Sequence, residues 1–499
     1  MSTSGVRYEP VGVSAAEQAF LADHPDFDPV GALAELRRTE YARLDRTDQV
    51  YLDYTGGGLH AASQIDAHAE LLRTEVLGNP HSNNPTSLAT THLVERARQR
   101  VLDYFNAADA YLCVFTANAS AALRLVGEAY PFEPDGSFAL TFDNHNSVNG
   151  IREFARRRGA TVSYVPVVAP DLRVDRGALS DVLGRSDRSA KNLFAFPAQS
   201  NFSGVQHPLD LIAEAHEHGW DVLLDAAAYV PTNRLDLALA RPDFVALSFY
   251  KMFGFPTGVG CLLIRKDRRQ VLQRPWFAGG TITIASVQGD GHYLHSDEAG
   301  FEDGTVDYLN LPAIETGLDH LERLGRDAVH SRVVDLTAWL LDALTGLCHS
   351  NGSPIADILG PRDTRERGGT ITFLMRDRDG RPIDDRRIEE LANREDISLR
   401  TGCFCNPGAG EIAHHLAAAD MVKWFGRGQA MSFLDLREEL LAENDLLVAA
   451  VRISVGVATN FADVYRFMCF VQGFVDRTVD EIGGVEFVSD NCRIVRDSA

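Results

Sequence analysis

Cysteine is scarce in this chain of 499 residues. Its seven thiols, at positions 113, 261, 348, 403, 405, 469 and 492, are odd in number and too widely spread to form a disulfide framework, so a reduced, cytoplasmic protein is expected. Positive charge is short as well. Lys and Arg number 48 against 70 Asp and Glu, a formal charge of −22, and a nucleic-acid backbone or an anionic membrane surface would be repelled by the molecule as a whole. A local basic pocket is compatible with that total. No apolar run suits a bilayer: the longest, from Val245 to Ile264, contains Lys251, Pro256 and several glycines, each unfavourable in a lipid-facing helix. The opening residues MSTSGVRYEP have neither the basic nor the apolar region of a secretory signal. Internal repeats and low-complexity tracts are also absent. Core-forming material is plentiful, with 45% hydrophobic residues, enough for two or three domains or one large domain with a smaller partner.

Residues 92–105 (HLVERARQRVLDYF) place Leu93, Ala97, Val101 and Phe105 on one helical face. Short apolar runs then alternate with helical ones: YLCVF (111–115), FALTF (138–142), TVSYVPV, NLFAFPA (192–198), DVLLDAAA (221–228) and FVALSFY (244–250). Runs without strict alternation suit strands buried on both faces, so the fold class is α/β with a mostly parallel sheet covered by helices. After Pro312 a single long helix is expected. GTITFLM (369–375), DISLRTG (396–402) and VRISVGV (451–457) then read as strands of a smaller α+β unit.

Candidate chemistry collects at strand ends. Lys251 closes one such run, where desolvation would favour the neutral, nucleophilic amine; a snorkelling surface lysine is the competing reading. Asp225 closes another. A carboxylate there could keep a pyridinium nitrogen protonated, or simply cap the next helix. Thr116-Ala117-Asn118-Ala119-Ser120 joins a strand to a helix, a place where N–H groups and a hydroxyl can bind phosphate, although small-residue turns are common there. His145, after a third strand, could stack on an aromatic cofactor or sit solvated in its loop.

The order of these motifs resembles the fold type I, class-V aminotransferase group, and more closely the N-terminal cysteine desulfurase-like domain of molybdenum cofactor sulfurases. Tyr51-Leu52-Asp53-Tyr54, GNPHS (78–82), PAQSNFSG (197–204), SFYKMFGFPTGVG (248–260), FAGGT (277–281), FEDGT (301–305), LRTGCFCNPG (399–408) and VRIS (451–454) carry the resemblance, which runs from about Phe20 to about Phe474. It implies a seven-stranded large domain and divides the chain into an N-terminal arm (1–62) contributing to the small domain, a large cofactor domain (63–312), and a small domain with a cysteine loop (313–499). It further implies pyridoxal 5'-phosphate, linked to Lys251 as a Schiff base, with Asp225 at the pyridine nitrogen, His145 on the ring and Asn201 near the phenolic oxygen. Asn118, Ala119, Ser120 and Ser248 would bind the phosphate, with Thr281 reaching it from a second subunit of a homodimer. Arg452 would hold the substrate carboxylate; a surface ion pair is the alternative.

Of Cys403 and Cys405, the latter stands where related desulfurases carry the nucleophilic thiol. The expected reaction cleaves the C–S bond of L-cysteine or a close relative and leaves a persulfide on Cys405, for a separate acceptor protein or small molecule to collect. Cys403 could resolve that persulfide. A zinc site made from Cys403, Cys405, His414 and His415 competes weakly, because C-x-C lacks a second ligand pair at the usual spacing, and no metal is expected. Ala228 and Tyr250 replace the glutamine and histidine of many desulfurases, which favours the sulfurase subgroup. A chain ending at 499 leaves no room for a molybdopterin-binding domain, so the acceptor is expected to be a separate molecule. A C–S lyase, aminotransferase or decarboxylase acting on another amino acid remains open, as does a non-enzymatic acceptor-binding scaffold.

Overall fold

The computed structural model describes residues 7–27, 31–80, 82–426, 433–444 and 448–484; Cys492 and His81 lie outside them. Seven strands form the central sheet: β1 (Tyr111–Thr116), β2 (Ser137–Thr141), β3 (Thr161–Val165), β4 (Asn192–Pro197), β5 (Asp221–Asp225), β6 (Phe244–Ser248) and β7 (Gly260–Arg265), in the order β1-β7-β6-β5-β4-β2-β3. β4, β5, β6 and β7 are buried at every position. Two-sided burial explains why these strands read as continuous apolar runs. β7, absent from the series expected above, pairs antiparallel with both β1 and β6. Its missing signal is physical: GCLLIR follows directly on the glycine-rich turn after Lys251, and the two strands share one uninterrupted apolar window.

Helix α1 (Pro85–Tyr104) and helix α2 (Ala119–Ala129) cover the sheet. The single long helix expected after Pro312 is two helices, α3 (Ala313–Leu324) and α4 (Arg326–Gly346), broken at Gly325 with φ +78°. The break redirects the chain between two cores. Ile314, Leu318 and Leu321 of α3 pack into the core shared with β1, β4, β5, β6 and β7. Val333, Leu336, Leu340 and Leu344 of α4 pack into a second core with Phe20, Val50 and Leu52 from the N-terminal segment.

That second core backs a four-stranded antiparallel sheet, β8 (Ala356–Ile358), β9 (Thr370–Met375), β10 (Arg400–Gly402) and β11 (Ala450–Ser454), ordered β8-β9-β11-β10. Val50–Tyr51 pairs in parallel with Ile397–Ser398, and Asp53 bridges Ser454. The N-terminal segment is thus stitched to the strand that carries Arg452. Among the described residues no helix is long and apolar enough to cross a membrane.

Candidate active site

β1, β2, β4, β5 and β6 run in one direction, so their C-terminal ends and the following loops meet at one sheet edge, where open α/β sheets place their ligands. A cavity of about 200 Å³ lies there, lined by Asn118, Ala119, Ser120, His145, Asn201, Asp225, Ser248 and Lys251. Eight of the sequence candidates thus converge from five loops. Gln199, Ala228 and Tyr250 line it as well.

Lys251 sits in the short helix Phe249–Phe253 that follows β6. Burial holds its amine below the ordinary lysine pKa, opposed by the charge of Asp225 and assisted by Arg452 and Arg400. Asp225 caps no helix: its Oδ1 accepts from the Ala227 N–H at 3.0 Å in the turn that follows β5, and the carboxylate lines the cavity. His145 caps the turn Asn146–Asn149, its Nδ1 accepting from the Ser147 N–H at 3.1 Å. That bond places the ring proton of the neutral form on Nε2. Burial lowers the His145 pKa, against the pull of Asp225, and keeps the ring neutral.

The start of α2 forms an anion cradle. Asn118 caps it by accepting from Ala121 N–H at 3.0 Å, Ser248 Oγ accepts from Ala119 N–H at 2.8 Å, and Ser120 Oγ lies 2.6 Å from Ser147 Oγ. The Ser120 N–H, second in the helix, has no intrahelical acceptor. A Cβ on Gly260 would lie 2.5 Å from Leu247 O and 2.7 Å from Asn118 Cα, so only glycine lets this turn lie flat against β7. An amine, a carboxylate, a neutral imidazole and a helix N-terminus around one cavity fit the aldehyde, ring nitrogen, ring face and phosphate of pyridoxal 5'-phosphate.

The small sheet closes the site. Arg452, 3% exposed, donates through Nη2 to Asp53 Oδ1 at 3.0 Å and through Nη1 to Asn201 O at 3.0 Å. Burial pushes its pKa down to about 10 despite Asp53. This is a buried pair, not the surface pair considered above. Asp53 also accepts from Arg400, at 3.0 Å from Nε and 2.6 Å from Nη2. One carboxylate therefore serves two guanidiniums and leaves a net positive charge beside the cavity.

Cys403 and Cys405 lie on the loop between β10 and the helix Pro407–Ala413. Phe404 and Cys405 both hold left-handed backbone, at φ +54° and +53°, a costly conformation for side chains of this kind. The loop is tied to the large domain at four points: Asn146 N–H to Cys405 O (2.7 Å), Asn201 Nδ2 to Phe404 O (2.7 Å), and Asn406 Nδ2 to Asn201 Oδ1 (2.9 Å) and Asp143 O (2.7 Å). The Phe404 ring lies 4.7 Å below the Arg452 guanidinium. Cys405 is exposed and does not line the cavity.

Thr281 is not in this cavity. Its hydroxyl is buried in its own turn, accepting from Ala278 N–H at 2.9 Å and donating to Ala278 O at 2.8 Å. No group of three or more His, Cys, Asp or Glu side chains among the described residues is arranged to hold a metal ion. The role of Asp53 escaped the sequence reading although its motif was noticed, because its partners stand 347 and 399 residues away. Asn406 was missed for the same reason.

This sheet order and its edge site are those of the fold type I pyridoxal phosphate enzymes. The sequence matches the Aminotransferase class-V family over residues 50–467, and the chain belongs to that family. Among curated relatives it is 36% identical over 479 residues to the molybdenum cofactor sulfurase of Solanum lycopersicum, covering 88% of this chain and 56% of that protein. The Homo sapiens molybdenum cofactor sulfurase is 37% identical over 472 residues, covering 88% and 51%. The chain thus spans little more than half the length of these relatives. Among solved structures, the apo cysteine desulfurase of Thermococcus onnurineus NA1 superposes with a TM-score of 0.73 at 22% identity, covering 89% of this chain and 98% of that one. A complex of the cystine C–S lyase C-DES with cysteine persulfide superposes with a TM-score of 0.64 at 17% identity, covering 86% and 99%.

Proposed function

We propose that the protein is a pyridoxal 5'-phosphate-dependent sulfurtransferase that cleaves the C–S bond of L-cysteine, or a closely related amino acid, and collects the sulfur on Cys405. The observation that carries this reading is the junction of two parts: a cavity holding Lys251, Asp225 and His145, and a strained loop tied across it that presents the exposed Cys405. The relatives and structural neighbours named above, sulfurases, a desulfurase and a C–S lyase, support it.

When bound, the cofactor supplies an aldehyde that condenses with amines and a ring that draws electrons from the substrate α-carbon. The Lys251 amine would hold that aldehyde; once displaced by substrate, and kept neutral by burial, it would move the proton at the α-carbon. Asp225 would keep the ring nitrogen protonated, and the neutral His145 would lie on the ring face. Arg452 would orient the substrate carboxylate, its free donors remaining beside Asp53. The Cys405 thiolate would then attack the substrate sulfur. The Sγ–S bond forms, the substrate Cβ–S bond breaks with its electron pair left on Cβ, and protonation there yields alanine. Net, L-cysteine plus the Cys405 thiol gives L-alanine plus the Cys405 persulfide.

Exposure of Cys405 suits transfer to a separate acceptor. Two copies acting together are part of the proposal: Ile284, Val287 and Tyr293 stand exposed on the hairpin that follows Thr281, a surface fit for a second copy that would bring this segment to its neighbour's site. The absence of a disulfide among the six described cysteines suits a cytoplasmic setting. The test is mass spectrometry of the holoenzyme after exposure to L-cysteine. A gain of one sulfur atom on the peptide bearing Cys405, with alanine as product, is expected. Pyruvate and ammonia formed without sulfur on that peptide would instead establish β-elimination.

A further inference from the structure

Two segments of the large domain grip the cysteine loop. One, residues 142–149, follows β2: Asp143 O accepts from Asn406 Nδ2, and the Asn146 N–H donates to Cys405 O, both at 2.7 Å. The other, residues 198–207, follows β4, and its Asn201 donates to Phe404 O and accepts from Asn406. We infer that His207 and Asp143 are positioning residues that brace these two grips against each other and so hold the Cys405 thiol for its attack on the substrate sulfur. The attack rests on the sulfurtransferase reading above; the brace does not.

His207 Nε2 donates to Asp143 Oδ2 at 2.8 Å, with the two side chains 1% and 0% exposed. Among the described residues this is the one hydrogen bond that joins side chains of the two segments. Neither side chain has a second partner there, since Asp143 Oδ1 and His207 Nδ1 are both buried and unpaired. Such a pair adds little stability over apolar residues of the same size, and its two unpaired atoms carry a cost. What it supplies is a fixed spacing. Both ends are anchored. Asn144, next to Asp143, donates to Thr141 O at 2.9 Å and to Ala195 O at 3.1 Å, which fastens the first segment to the sheet. The His207 N–H donates to Ala198 O at 3.1 Å and the Ser200 N–H to Val205 O at 2.8 Å, which closes the second segment into a loop with Asn201 in its turn. The fit is close: a Cβ on Gly408 would collide with Phe142 O, so the helix after the cysteines lies directly against the first segment. Neither His207 nor Asp143 lines the Lys251 cavity. Losing the pair therefore slackens the seat of the thiol and leaves Lys251, Asp225 and Arg452 in place.

The test compares Asp143→Ala, which removes the bond without stranding a carboxylate, with Asp143→Asn, whose amide oxygen can still accept from His207 Nε2. Hydrogen exchange of the holoenzyme is the first readout. In Asp143→Ala the peptide spanning 399–410 should exchange at least about fivefold faster while peptides of β5 and β6 keep the parent rate; in Asp143→Asn neither should change. Alanine formation from L-cysteine is the second. Asp143→Ala should lower kcat about tenfold, with KM within about threefold of the parent and the cofactor absorbance intact, because the thiol acts after the substrate is bound. Asp143→Asn should restore kcat to within about threefold of the parent. Unchanged loop exchange in Asp143→Ala, equal losses in the two variants, or a rise in KM with kcat unchanged would each overturn the inference. Should Asp143→Ala not fold, Asp143→Ser, one bond too short to reach the ring, is read in the same way. If the parent places no sulfur on Cys405, the proposed function falls, and the exchange measurements still decide the brace.

Discussion

Asp53 holds Arg452, the arginine proposed to orient the substrate carboxylate, through an ion pair that can be cut cleanly. Asp53→Asn keeps the shape and one acceptor oxygen but removes the only carboxylate bonded to Arg452 among the described residues. Breaking a buried ion pair from one side costs about 3–5 kcal/mol. Two features reduce that figure here: Arg452 retains its bond to Asn201 O, and Arg400, half-exposed, can turn toward water. A loss of about 2 kcal/mol remains, which is about thirtyfold at 1.4 kcal/mol per decade. A carboxylate is gripped alike in ground and transition states, so the loss belongs in KM with kcat little changed. The assay is steady-state alanine formation from L-cysteine, with cofactor occupancy checked by absorbance. Arg400→Ala is the control: an exposed pair is worth at most about 1 kcal/mol, so KM should move less than about fivefold. If Asp53→Asn leaves KM within about twofold of the parent at full cofactor occupancy, the positioning role assigned to Asp53 is wrong. A fall confined to kcat would place Asp53 in the chemistry itself.

Cys405→Ala should lower alanine formation by at least about a hundredfold while the cofactor stays bound, measured by amino-acid analysis; Cys403→Ala should retain most activity, and equal losses in both would refute the choice of thiol. Borohydride reduction of the holoenzyme should fix the cofactor on the peptide containing Lys251, and Lys251→Ala should show no such adduct. Gly260→Ala drives a methyl group into Leu247 O and Asn118 Cα. It should destabilise by about 1–3 kcal/mol and weaken cofactor binding about tenfold, read by titration of the apoenzyme. His414, with its folded pKa of about 4 below the ordinary 6.5, binds a proton more readily unfolded than folded. Its stabilising share is full above about pH 6.5 and is lost as pH falls toward about 4, by no more than about 3 kcal/mol. Denaturation midpoints at about pH 8 and about pH 5 should therefore differ less in His414→Phe than in the parent.

The sequence by itself determined six of the seven strands of the large sheet and the residues that close them. Strands buried on both faces are read as apolar runs because nothing else tolerates that environment, and the groups at their ends, Asp225, Ser248 and Lys251, are fixed by chain direction: a residue closing a parallel strand lies at the ligand edge wherever the strand sits. Eight candidates met in one cavity for that reason. What lies between the two domains was decided by tertiary structure alone. The break at Gly325 sends α3 to one core and α4 to the other, and periodicity cannot see it, because both halves keep the helical repeat. The pairing of Asp53 with Arg400 and Arg452, and of Asn406 with Asn201 and Asp143, joins residues hundreds of positions apart, each unremarkable in its own window. Whether a carboxylate steadies an arginine, or a cysteine loop is held to the large domain, depends on distances across that interface, and a one-dimensional pattern carries no distances.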